Sequence, residues 1–184
     1  LMLPYTGGEP RDRHAILAMN LQGGGGFEIW QYTSKVPEKA TFNIQLGDLG
    51  IFICKLKSHD VKAAYNDLKE KGIQLLTEVT HSPASYENLY LQGLYGNRFE
   101  VIASKIWIKP INYKIGGVAG ATIGVSDMEK SIDFYQKVLG FDKILSDSIA
   151  RFDDFKNIPG GGETYRRVIL THSKPRIGRF NKLL

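Results

Sequence analysis

Cysteine is nearly absent: Cys54 stands alone in 184 residues. A single thiol excludes an internal disulfide framework and points to a reducing compartment, so a cytoplasmic location is expected. The same count excludes zinc-finger and iron–sulfur sites. Long apolar runs are missing too. No stretch approaches the ~18 consecutive apolar residues of a membrane span, so no membrane partner is expected. The opening Leu1-Met2-Leu3-Pro4 has neither the charged nor the apolar region of a secretory signal. Blocks of one charge sign are scarce. Net charge is +5, yet Lys and Arg alternate with Asp and Glu through both helical segments. Only the tail (Lys174, Arg176, Arg179, Lys182) is uniformly basic. That dispersal argues against a nucleic-acid partner and for a small molecule of anionic character.

Glycine, by contrast, is plentiful, with twenty copies, and it punctuates a repeated pattern. Asp60 opens a segment ending at Gly72, in which Val61, Ala64, Tyr65 and Leu68 form an apolar stripe at helical spacing. Another, capped by Ser126 or Asp127, carries Met128, Ile132, Tyr135 and Leu139 and ends at Gly140. Strand-like runs precede them (Gly50–Lys57, Val118–Val125) and follow them (Ile73–Thr80, Phe141–Ser146). The β-α-β unit therefore occurs twice, roughly 70 residues apart, which is the signature of internal repetition. Phe27-Glu28-Ile29 and Phe99-Glu100-Val101 recur at a similar interval. Pro4…Gly7-Gly8-Glu9…Leu17 and Pro159-Gly160-Gly161-Gly162-Glu163…Leu170 recur at about twice that period.

The parse is a β-α-β-β-β module. Residues 1–33 read as the last strands of a first module, 48–104 as a complete second one, and 118–184 as the beginning of a third. Tyr86–Gln92 and Arg98–Ala103 are the third and fourth strands of the middle module. Ser34–Leu46 and Lys105–Lys114 are linkers marked by Pro37 and Pro110. The expected fold class is α+β: curved mixed sheets around a cleft, with incomplete modules at both ends. A start at Leu1 and the partial outer modules suggest a segment of a longer, four-module protein.

Val118-Ala119-Gly120-Ala121-Thr122-Ile123-Gly124-Val125-Ser126-Asp127-Met128 through Phe134-Tyr135…Leu139-Gly140-Phe141 resembles the opening of a vicinal oxygen chelate module. That superfamily includes glyoxalase I, bleomycin-resistance proteins and extradiol dioxygenases. Tyr90 through Val101 resembles the closing segment, with Gly93-Leu94 where the family often has Asp-Pro. Glu87 through Gly93 also resembles a viral-protease cleavage sequence, but its register with the third strand marks it as native.

The resemblance implies a cleft between paired modules. A divalent ion (Mn, Ni, Zn, Fe or Mg) would be held there by last-strand glutamates and a first-strand residue of each module. Carried over, the glutamates are Glu28 and Glu100, either as ligands or with one as general base beside a substrate carbonyl. The first-strand positions fall at Ile53 and Gly120, which cannot ligate. Arg13, Arg166 and Arg167 are candidate substrate contacts, since a guanidinium suits carboxylate or phosphate. Trp30 and Tyr90 could line an aromatic wall. His14, His59, His81 and His172 read as surface or structural residues, and the Gly23–Gly26 run as a hairpin turn rather than a phosphate cradle. Two functions follow. One is a glyoxalase-like, metal-assisted lyase, isomerase or dioxygenase acting on a small oxygenated substrate. The other is a metal-free protein that sequesters a small molecule, as in bleomycin resistance. Unpaired strand edges on partial modules predict a homo-oligomer.

Overall fold

Both helices begin where an aspartate can accept from their first free amides. Helix α1 spans Val61–Glu70, and Asp60 accepts from the Ala63 amide at 2.8 Å. Helix α2 spans Met128–Lys137, and Asp127 accepts from the Lys130 amide at 3.1 Å. The expected stripes face the core, except that Leu139 lies past the end of α2 and is exposed. Val61, Ala64, Tyr65 and Leu68 pack on Leu89, Leu91 and Val101, while Met128, Ile132 and Tyr135 pack on Phe141, Val168 and Leu170.

The computed structural model describes residues 7–109 and 111–174 and the short strand Lys182–Leu183. Pro4, Pro110, Arg176 and Arg179 lie outside the described residues. Strands β1 (Arg13–Met19) and β2 (Gly26–Tyr32) form an antiparallel hairpin that is a sheet of its own. The remaining strands form one mixed sheet: β3 Gly50–Ser58, β4 Gln74–Leu75, β5 Thr80–His81, β6 Glu87–Gln92, β7 Arg98–Ala103, β8 Ile115–Gly124, β9 Lys143–Ala150, β10 Tyr165–Thr171 and β11 Lys182–Leu183. Their order is β4-β6-β7-β3-β8-β11-β10-β9, with β5 pairing beside β6. At the centre β3 and β8 run antiparallel. On either side each has a parallel neighbour, β7 for β3 and β11 for β8. The order is thus mirrored about the β3–β8 seam, with β7, β6 and β4 outward on one side and β11, β10 and β9 outward on the other.

Side-chain alternation then sorts the residues. Leu89, Leu91, Val101, Val168 and Leu170 face the helices. Their neighbours Asn88, Tyr90, Glu100, Ile102, Arg167 and Ile169 are buried on the opposite face. The connection between β9 and β10 covers that face: Phe152, Phe155 and Ile158 pack with Leu46, Ile53 and Tyr90.

Some elements differ from the sequence expectation. The run Ile73–Thr80 is not one strand but two short ones, because Leu76 and Thr77 both donate their amides to the Tyr90 carbonyl and Thr77 Oγ1 accepts from the Tyr90 amide. Strand β9 starts at Lys143 rather than at Phe141, whose amide closes the helix end on the Tyr135 carbonyl and whose ring is buried under α2. The glycine run does make the hairpin turn. Its backbone meets the main sheet so closely that a Cβ on Gly23 would lie 2.0 Å from the Gly116 carbonyl oxygen. Buried Gln22 ties this turn to the 105–114 linker. Its carbonyl accepts from Ile108 and Lys109, Oε1 accepts from the Ile111 amide, and Nε2 donates to the Tyr113 carbonyl. The Lys57 ammonium adds a 2.6 Å bond to the Gly23 carbonyl.

Candidate functional site

Strand register decides what meets at the centre of the helix-free face. In the parallel β3–β7 pair Lys55 stands opposite Glu100, and across the seam Lys55 stands opposite Gly120. A lysine therefore reaches the last-strand carboxylate with only a hydrogen on the far neighbour, and the room is used. Lys55 Nζ donates to Glu100 Oε2 at 2.5 Å, both side chains being about 1% exposed or less. Asn88 Nδ2 donates to the other carboxylate oxygen at 2.8 Å. Opposite Glu100 on β6 is Tyr90, fully buried.

A second ion pair lies next to the first. Asp154, in a 3₁₀ turn at Asp153–Phe155, is reached by Arg167 of β10. Arg167 Nη1 donates to both carboxylate oxygens at 2.8 Å. The Tyr90 hydroxyl donates to Asp154 at 3.1 Å and Asn88 Nδ2 at 3.2 Å. The guanidinium also lies 3.9 Å from the centroid of the Phe155 ring, a cation–π contact. Asn88 and Tyr90 thus link a Lys–Glu pair to an Arg–Asp pair inside the fold.

The charges hold one another. Burial alone would pull the Lys55 amine down, but the Glu100 carboxylate outweighs it and leaves the amine above its ordinary value. Burial would raise Glu100, but Lys55, Arg167 and the donated hydrogen bonds hold it below the ordinary carboxylate value. Burial drives the Tyr90 hydroxyl well up, so it stays a proton donor. At Arg167 burial opposes the charge, and Tyr90, Asp154 and Glu100 restore and exceed it.

Beside this network a cavity of about 380 Å³ opens between β3, β8 and β10. Phe52, Thr122, Met128, Phe155, Tyr165 and Arg167 are among its walls, with Arg166 also lining it. Thr122 Oγ1 is buried without a hydrogen-bond partner.

Of the residues singled out in sequence, Glu100, Tyr90 and Arg167 come together, and Arg166 lies at the same cavity. Arg166 is held by Asp147 at 2.8 Å and Glu129 at 2.5 Å. Glu28, Arg13 and Trp30 are elsewhere. All three are exposed on the separate hairpin, with Arg13 stacked 3.8 Å over Trp30. The first-strand residue facing Glu100 is Lys55, two positions beyond Ile53 on the same face, whereas Gly120 does fall at the site. Lys55, Asn88 and Asp154 went unread in the sequence. The signal for Asp154 was local, an acid set between Phe152 and Phe155 in a loop.

A divalent ion does not fit these residues. Both Glu100 oxygens are engaged, one by an ammonium that offers no lone pair while protonated. Bringing a dication there would set it against Lys55 and Arg167 in a low-dielectric interior. Among the described residues no group of three or more His, Cys, Asp or Glu side chains is placed to hold a metal.

Residues 116–172 match the family described as the Glyoxalase/Bleomycin resistance protein/Dioxygenase superfamily. Among solved structures, a protein of Bacillus subtilis subsp. subtilis strain 168 with a provisional dioxygenase designation is similar over 93% of this chain. The TM-score is 0.55 at 13% identity. Glyoxalase I from Zea mays is similar over 73% of it, with a TM-score of 0.46 and 21% identity. The chain covers 50% and 41% of those two chains, so it spans no more than half the length of either. The Bacillus structure shows the fold. No curated protein matches this chain.

Proposed function

From the glyoxalase/bleomycin resistance/dioxygenase superfamily module that residues 116–172 carry, we propose a metal-free function: binding of a small molecule in the cavity beside β8 and β10. The observation that carries this reading is the buried Lys55–Glu100 pair, which sets a fixed ammonium against the carboxylate expected to hold a metal. The cavity, at about 380 Å³, is of a size to enclose a small ligand. Its walls are mostly apolar, with a few polar groups.

The organisation we propose with it is modular. The β1–β2 hairpin represents the end of one module, residues 48–104 a complete one, and residues 118–184 another that pairs with it. Exposed Ile16, Leu17, Met19 and Ile29 on the hairpin support self-association. No helix among the described residues is long and apolar enough to cross a membrane.

The deciding experiment measures metal content by mass spectrometry after exposure to Ni, Mn, Zn and Mg. A screen for ligand-induced thermal shift, with and without EDTA, runs beside it. The expected result is substoichiometric metal and ligand shifts that EDTA leaves unchanged. Near-stoichiometric metal that is lost in Glu100→Ala overturns the reading in favour of a metal-assisted lyase, isomerase or dioxygenase.

A further inference from the structure

The carboxylate of Asp154 sits where three different side chains aim their donors. Arg167 gives 2.8 Å contacts to both oxygens, the Tyr90 hydroxyl one of 3.1 Å and Asn88 one of 3.2 Å. All four residues are buried. Such convergence on one planar anion is how proteins recognise a ligand carboxylate. Here the anion belongs to the chain itself, delivered from the β9–β10 connection and locked by Phe152 and Phe155 on either side. Arg167 is also part of the cavity wall, so the occupied seat adjoins the space where a ligand would lie.

Charge accounting around that space points one way. Arg166 and Arg167 are the charged residues in its wall. Arg167 is matched by Asp154, and Arg166 is outnumbered by Asp147 and Glu129. Lys55, deeper in the fold, is matched by Glu100. No cation in the wall is left for an incoming anion. A buried anion without a partner is costly, whereas an uncharged polar group needs one hydrogen bond. The uncharged polar residues of the wall, Ser126 and Thr164, can supply it.

We propose that Asp154 sets the ligand class of the cavity. By filling the carboxylate seat formed by Arg167, Tyr90 and Asn88, it makes the cavity accept an uncharged, largely apolar molecule and refuse the carboxylate of the same shape. The inference rests on the cavity-binding reading above, and it replaces the anionic ligand expected from the arginines in sequence.

Benzamide and benzoate, alike in shape and different in charge, are the probes, with binding followed by calorimetry. Wild-type protein should bind benzamide at least tenfold more tightly than benzoate. Asp154→Asn, which leaves the guanidinium unmatched, should move that preference toward benzoate by tenfold or more. In Asp154→Ala the vacated seat should accept formate, so its Tm should rise in sodium formate over equal sodium chloride, while wild-type Tm should not. Equal wild-type binding of both probes overturns the inference, as does an unchanged preference in Asp154→Asn. Failure of both probes in every variant overturns the cavity-binding reading and the claim of ligand class with it. The formate arm then judges the carboxylate seat by itself, and no formate-specific rise in Asp154→Ala overturns that too.

Discussion

Lys55 and Glu100 occupy paired positions on parallel strands, and their side chains close a 2.5 Å ion pair with almost no contact with water. Removing one partner of such a pair strands a charge in the interior, whereas removing both does not. Lys55→Met or Glu100→Leu alone should therefore cost about 3–5 kcal/mol of stability. Lys55→Met combined with Glu100→Leu should cost clearly less than the sum of the two single changes. Urea denaturation of the four proteins, treated as a double-mutant cycle, measures the coupling.

The same pair fixes how stability varies with pH. Glu100 is held below its ordinary 4.5, so its contribution is full above that value and is lost as pH falls through the lowered one. Lys55 is held above its ordinary 10.5, so its contribution is full below that value and is lost as pH rises through the raised one. Midpoints of urea unfolding should form a plateau through neutral pH, with losses at both extremes. The double variant should have shallower losses at both ends.

At the start of α1, Asp60 accepts from the Ala63 amide at 2.8 Å. Asp60→Ala leaves that amide without its partner and should destabilise the protein by about 1 kcal/mol. Asp60→Asn should recover most of the loss, and urea unfolding distinguishes the two.

Gln22 is almost fully buried and spends both ends of its amide on the linker. Gln22→Ala should cost about 1–3 kcal/mol, because the Ile111 amide and the Tyr113 carbonyl lose their partner. Hydrogen exchange should accelerate first in residues 13–32 and 108–113, while the amides of β6 and β7 stay protected.

How much of this was written in the sequence varies with the distance over which each feature is specified. The capping aspartates, the helical stripes and β7 are local, and they stand within a residue or two of where spacing put them. Ile53 shows the next level of difficulty. The resemblance puts the first-strand position there, on the face that holds Tyr90, whereas the residue paired with Glu100 is Lys55, because register against β7 is settled by the pairing of strands. Glu28 and Glu100 share the context Phe-Glu-β-branched, yet one is exposed and the other buried, since the hairpin lies outside the main sheet. Asp154 and Tyr90 are 64 residues apart, and no periodicity announces their contact.

In the mirrored strand order, the place taken on one side by β7 is taken on the other by β11. Among the described residues, β11 pairs along β8 through Lys182↔Gly120 and Leu183↔Ala121. Strands β9 and β10 are tied to the other half at a second place, away from the β3–β8 ladder. What fastens them across the open face is the Arg167–Asp154 bond, anchored through Tyr90 and Asn88 of the other half, and the aromatic wedge of Phe152 and Phe155. The two halves of this molecule are laced along the β3–β8 ladder and riveted across the open face.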